Sequence, residues 1–324
     1  MKKAWIGILV GVIVLLFLLR LMLGSVSIPL SEILDLSGTN EIIIFKYRLP
    51  HAITAVFAGI ILSLCGLLMQ SLFRNPLAGP FVLGVSSGAS LMVALVFLTG
   101  FSGVLTGLGL SISAIIGALG VVFLISLISL RFSDNFTLLI FGLMLGYVFS
   151  ALQGLIEYFG EARSLKSFVV WGMGSFGKLS QWWEFLLLGA IALGLLIFSL
   201  VNSRKMDFYS LGDDYATLEG IKVKKLKITV LVMVGVAAGL VTGFCGPIAF
   251  LGIAVPHLAA MLIKTKKHSP WIIFTTLIGA IVALSCDIIA EVPGQNITLP
   301  INVITCVIGA PVVIWVLLKS KRRI

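Results

Sequence analysis

Between Arg48 and Ser90 the chain reads RLPHAITAVFAGIILSLCGLLMQSLFRNPLAGPFVLGVSSGAS. An apolar run meets a polar break from Gln70 to Asn75, and a second apolar run follows, cut by Pro76, Pro80, Gly79, Gly84 and Gly88. Proline removes a backbone donor and disfavours helix just before it, whereas glycine permits close approach and unusual dihedrals. At membrane depth such a break is tolerated only where protein or a water-filled cavity satisfies the freed backbone groups. Broken helices at that depth point to a transport pathway. The residues alone leave an ordinary tight reversal between two spans open as well.

Bond-making chemistry finds little material here. The sequence has no G-x-x-x-x-G-K-[ST] phosphate loop and no H-E-x-x-H, and no paired-carboxylate constellation stands out. His51, His257 and His268 are far apart in the chain. Cys65, Cys245, Cys286 and Cys306 lie in or near apolar runs without a C-x-x-C pair, which reads as packing and not as metal or disulfide chemistry. No catalytic, cofactor or metal residues are expected, so any energy from ATP must come from another subunit.

The elements around this stretch are set by composition. Hydrophobic residues make up 59% and charged ones 11% of the 324 residues, with mean hydropathy +1.17. That is a polytopic membrane protein, embedded in the bilayer as a single transmembrane unit over 1–324. The net charge of +10 does not imply nucleic acid, because the basic residues sit in short loops without a basic, aromatic-interleaved stripe. One span needs about 20 apolar residues. Runs of that kind fall near 4–24, 51–71, 82–100, 108–130, 136–158, 184–202, 227–244, 247–264, 271–290 and 300–318. The first exceeds a signal-peptide core and lacks a cleavage pattern, so it is taken as an uncleaved span.

Ten spans put both termini on one side. That side collects Lys2, Lys3, Arg74, Arg131, Arg204, Lys205, the run from Lys222 to Lys227 and the C-terminal Lys321, Arg322 and Arg323. Arg20, Lys46, Arg48, Arg163, Lys166 and Lys178 fall opposite. The positive-inside rule then assigns both termini to the cytoplasm. Trp171, Trp182 and Trp183 flank the outer loop between spans five and six, where belt tryptophans are usual.

Ala58-Gly59, Cys65-Gly66 and Pro76 recur at a constant offset as Ala238-Gly239, Cys245-Gly246 and Pro256. Ile116-Gly117-Ala118 recurs as Ile278-Gly279-Ala280. The copies would run in opposite directions, an inverted repeat of the kind that builds transport pathways. Coincidence in a chain with 34 glycines is the competing reading.

Arg48-Leu49-Pro50, Gln70, Asn75-Pro76-Leu77-Ala78, Leu83-Gly84 and Ser86-Ser87-Gly88-Ala89 resemble the FecCD family. Gly246-Pro247, Phe250-Leu251-Gly252 and Pro256-His257 resemble its second signature, and Leu299-Pro300, Thr305 and Gly309-Ala310-Pro311 extend the likeness from about residue 42 to the C-terminus. The resemblance implies an all-α, type II permease of an ABC importer for iron–siderophore, haem or vitamin B12, in a cytoplasmic (inner) membrane. It also implies an inverted repeat, a second permease copy, two ATPase subunits and an extracytoplasmic substrate-binding protein. Leu211-Gly212, Asp213, Ala216, Glu219 and Gly220 resemble the family's ATPase-docking loop, with Glu219 where the family usually has Leu. For the binding protein the resemblance points to Arg48, with Lys46 and His51 beside it. His51 and Glu291 stand where the family commonly has arginine. An ion- or proton-coupled secondary transporter is the rival, since it would explain an inverted repeat equally well. It needs carboxylates within spans, and only Asp287 qualifies.

Overall fold

The computed structural model describes residues 2–24, 39–98, 108–132, 134–263, 265, 267–291 and 298–320. The long apolar runs fold as α1 (Lys2–Met22), α3 (Leu49–Phe73), α4 (Val85–Leu98), α5 (Leu108–Arg131) and α6 (Asn135–Phe159). The second half supplies α8 (Trp182–Val201), α11 (Val223–Cys245), α12 (Leu251–Ile263), α13 (His268–Ala290) and α14 (Ile301–Ser320). These match the ten expected runs. Among the described residues seven helices are long and apolar enough to cross a bilayer, and three apolar helices are shorter, in α4, α12 and α14. Four further helices do not answer to spans: α2 (Thr39–Ile43), α7 (Ala162–Gly172), α9 (Ser203–Leu211) and α10 (Asp213–Leu218). A π-helical turn, Ile44–Arg48, joins α2 to α3.

The core lies on α3, α11 and α13. Almost every residue of α3 from Ile61 to Phe73 is buried, as are most of α11 from Ala237 to Cys245. A helix that is apolar all round belongs at the centre of a bundle. By contrast α6 and α8 bury one narrow stripe each and leave large apolar side chains exposed, as lipid-facing helices do.

The packing repeats across the halves. The most extensive contact is α3 on α13, and α11 on α5 almost equals it; α4 on α5 is echoed by α12 on α13. Exchanging α3 with α11, α4 with α12 and α5 with α13 maps the first set onto the second. Small residues make both crossings close. A Cβ on Gly59 would press on Gly279, and one on Gly239 would lie 2.5 Å from the Ala118 methyl. With little hydrophobic force between helices in lipid, such close backbone approach is what holds them together.

One part of the sequence repeat does not hold. Pro76 lies in the break before α4, whereas Pro256 lies inside α12, so their common offset pairs inequivalent positions. The structural counterparts are Gly84 (φ 73°) and Phe250 (φ 67°), each in the left-handed region immediately before a short helix. The loop between α3 and α4 was free to differ in length from that between α11 and α12, which shifts the register of everything after it.

The tryptophan expectation splits as well. Trp182 and Trp183 are exposed at the start of α8, as belt residues should be. Trp171 is buried, stacked on Phe168 with ring centroids 5.9 Å apart. The reason is Lys178, whose Nζ donates to the carbonyls of Trp171 (3.0 Å) and Cys245 (3.3 Å) and pulls the 173–181 loop over the end of α11. Burial pushes the Lys178 ammonium down from 10.5 to about 8. Its value when unfolded stays near about 10.4, so the unfolded chain binds more protons between those values and stability rises with pH across that window. Thermal unfolding of the detergent-solubilised chain between about pH 8 and 10.4 should show this rise. Lys178→Met should flatten it.

Candidate translocation and coupling site

The α3–α4 break is built from its own polar groups. Arg74 ends α3 in the left-handed region (φ 48°), and its N–H returns to Gln70 O and Ser71 O. The Asn75 side chain accepts from Leu77 N at 2.9 Å, and Ala78 N donates to Asn75 O at 3.1 Å, closing a compact turn across Pro76. Gly84 then opens α4 against α6, where a Cβ would sit 2.9 Å from Gly142 O. Gly88 crosses Gly117 of α5 so closely that neither position has room for a Cβ. Ser86 and Ser87 lie in the first turn of α4, half-buried, and Ser87 Oγ accepts from Ser150 at 3.4 Å.

The two signature stretches meet at this break. Pro256 has no N–H, so the Gly252 carbonyl one turn earlier loses its helical partner. Gln70 replaces it: its Nε2 donates to Gly252 O (3.3 Å) and Ile253 O (3.1 Å). Gly66 and Gly252 touch backbone to backbone at the same crossing. His257 Nε2 bonds Pro76 O at 2.8 Å, and Trp271 Nε1 donates to Pro256 O at 2.8 Å. Gly246 ends α11 in the left-handed region (φ 81°), in tight contact with Trp171 O. His257 is thereby a strut between the break and α12. Among the described residues its hydrogen-bond partner is a backbone carbonyl.

A second polar network ties α9 and α10 to the bundle. Tyr209 is fully buried, and its hydroxyl donates to Leu72 O at 2.9 Å, a carbonyl near the end of α3. Asn135 Nδ2 reaches the same carbonyl from α6 at 2.9 Å. Arg74 donates to Tyr209 O at 2.6 Å and pairs with Asp213, while Lys227 pairs with the other Asp213 oxygen at 3.1 Å. Both cations flank the Tyr209 ring. Asp207 accepts from His268 N (2.8 Å) and bonds its Nδ1 (2.6 Å), and His268 Nε2 meets Ser71 Oγ at 2.9 Å. This Asp–His–Ser line has the order of a hydrolytic triad. Ser71, however, is a buried residue of α3, so the line serves as a brace between α9, α13 and α3.

The outer ends of α9 and α10 are apolar and bare. Leu211, Tyr215 and Leu218 are exposed, Leu218 at 85%, while Ala216 is fully buried. Gly212 (φ 141°) and Gly220 (φ 76°) frame this tip in dihedrals that other residues rarely adopt. Glu219 is exposed, and Leu218 beside it offers the apolar group that Glu219 does not.

At the opposite end a buried charge cluster joins α1, α3 and α13. Arg20 pairs with Asp287 through Nε and with Glu291 at 2.8 Å, and His51 Nδ1 lies 3.4 Å from Asp287. Arg48 is 3% exposed and donates to Leu21 O (2.7 Å) and Met22 O (2.9 Å). It therefore caps the last carbonyls of α1, which have no helical partner. In this single chain the guanidinium is enclosed and spent on that cap. His51 and Glu291 bond Asp287 and Arg20 while staying partly exposed. Lys46 lines an open cavity of about 570 Å³ with Phe45, Tyr47 and Trp182.

Arg20, Tyr209, Asp207, His268 and Lys227 were not singled out from the sequence. Arg20 and Lys227 carried a usable signal, since a cation within an apolar run demands a partner.

A polytopic helical bundle with a pseudo-symmetric core, a broken helix at its centre and a braced apolar tip is a transport permease. The FecCD transport family matches residues 12–319, and the chain belongs to it. It is 33% identical over 322 residues to the vitamin B12 import system permease protein BtuC of Klebsiella pneumoniae, covering 99% of this chain and 96% of that one. It is 30% identical over 327 residues to the hemin transport system permease protein HmuU of Yersinia pestis, covering 99% and 97%. Among solved structures it is similar to a metal-chelate type ABC transporter in an inward-facing conformation. That match has TM-score 0.89 and 30% identity, covering 98% of this chain and 99% of that one.

Proposed function

We propose that the chain is the permease subunit of an ATP-driven importer for a metal chelate of the iron–siderophore, haem or cobalamin type. Two copies form the pathway between them, two ATPase subunits dock below, and a binding protein delivers cargo from outside. The whole chain, 1–324, acts as one transmembrane domain in the cytoplasmic membrane with both termini inside, and hydrolysis takes place on the ATPase. The relatives' cargoes support the chelate class. The braced tip is the observation that carries the coupling. Leu211, Tyr215 and Leu218 face outward, while Tyr209, Asp207 and Asp213 fasten the same segment to α3, α6, α11 and α13. A push on the tip therefore reaches the helices around the break.

At the outer face, Lys46 with the cavity beside it, together with Arg48, His51 and Glu291, is the contact proposed for the binding protein. The secondary-transport reading loses its one candidate ion ligand, because Asp287 is already held by Arg20 and His51.

Leu218→Asp tests the docking. It should abolish co-purification of the ATPase while leaving the permease in the membrane at parental level. Gly220→Trp should act in the same direction, since φ 76° strains any side chain there although the space is open. An intact complex with transport-coupled ATP turnover from both variants would place the ATPase elsewhere.

A further inference from the structure

A cavity of about 870 Å³ lies beside the coupling tip and shares Glu219 and Gly220 with it. It opens between the end of α8, the start of α9 and the start of α11. Arg204 and Lys205 reach it from one side, Lys222 and Lys225 from the other, and Glu219 is the acidic residue in its lining. Phe198, Phe208 and Leu226 complete the wall. Arg204 lies over the Phe208 ring at 5.7 Å, and Lys205 Nζ bonds Asn202 Oδ1 at 3.0 Å, so both cations are positioned at the rim.

The charges sit badly for the fold alone. The first turn of α11 contains lysines and no acid, although a helix N-terminus favours anions. The positive-inside rule accounts for basic residues on this side, but not for four cations from two helices converging on one cavity. An anion between them relieves both the mutual repulsion and the helix-end charge.

We infer that this cavity binds the phosphate headgroup of an anionic phospholipid. Position favours a lipid over free phosphate. Val201, 70% exposed, lines the cavity and continues the apolar face of α8 formed by Leu193 and Ile197. An acyl chain can lie along that face while the headgroup reaches the cations. Basic pockets between helices at a membrane surface are suited to such headgroups.

The test uses the full-length permease in detergent micelles doped with equal amounts of phosphatidylglycerol and phosphatidylcholine, with retained lipid read by native mass spectrometry. The parent should retain phosphatidylglycerol in preference to phosphatidylcholine. Arg204→Gln with Lys225→Gln should reduce retention at least about tenfold, given roughly fivefold for each cation near a surface. Lys222→Gln alone should give an intermediate loss, and Lys166→Gln on the other face should give none. Equal retention by parent and variants would overturn the assignment. So would displacement of the lipid by inorganic phosphate at matched concentration, which would make this a free-anion site. Variants that keep the lipid but no longer bind the ATPase would show the cavity to be part of the ATPase seat.

Discussion

Arg20→Ala should destabilise the folded chain by about 3–5 kcal/mol, the usual consequence of removing one partner of a buried pair. Arg20 is 1% exposed, and its removal leaves the buried Asp287, among the described residues, with the more distant His51. Helix α1 should feel this most, since it packs mainly on α13 and this pair joins the two. Asp287→Ala should cost a similar amount for the converse reason. Replacing both, Arg20→Met with Asp287→Leu, should recover most of the loss. Arg48 and Glu291 then remain, so the cluster stays balanced, and apolar replacements of buried pairs are often neutral or better. Thermal unfolding of the three variants in detergent checks this. A double variant no better than either single one would mean that the pair also fixes the geometry of α1.

Gly66→Leu should abolish transport and lower stability by about 1–3 kcal/mol or more, as overpacking does. A side chain at Gly66 would run into the backbone of Gly252, and neither main chain can step aside. The same crossing carries the Gln70 bonds to Gly252 and Ile253 and the His257 bond to Pro76. Pushing α12 away from α3 breaks all three. Gly194→Leu is the control, because nothing lies within 4 Å of a Cβ there. Uptake assays with membrane levels measured in parallel should show the first variant inactive and the second near parental.

The ten apolar runs and the break after Gln70 were legible because each rests on local pattern: hydrophobic length, and proline and glycine placement. What failed rested on partners far apart in the chain. Arg48 gives no sign in the sequence that it caps the Leu21 and Met22 carbonyls of α1. Trp171 follows the composition of a belt residue, but Lys178 draws it inward. Pro76 and Pro256 share an offset with true repeat positions, yet a loop-length difference moves them apart. Arg20 and Asp287 could have been paired by elimination, since Asp287 was the one plausible intramembrane carboxylate and an intramembrane arginine requires an acid. The Tyr209 network left no such trace, because a tyrosine in a polar loop has no pattern that marks it as buried.

The central claim is that ATP hydrolysis on a separate subunit drives a chelate through this permease. Its most direct measurement is uptake into proteoliposomes containing the permease, an ABC ATPase and an external binding protein, with cyanocobalamin, haemin and a ferric siderophore tried in turn. Uptake of one of these should require ATP, should require the ATPase, and should persist when the proton gradient is collapsed. Uptake by the permease alone, driven by an imposed proton or sodium gradient without ATP, would contradict the account.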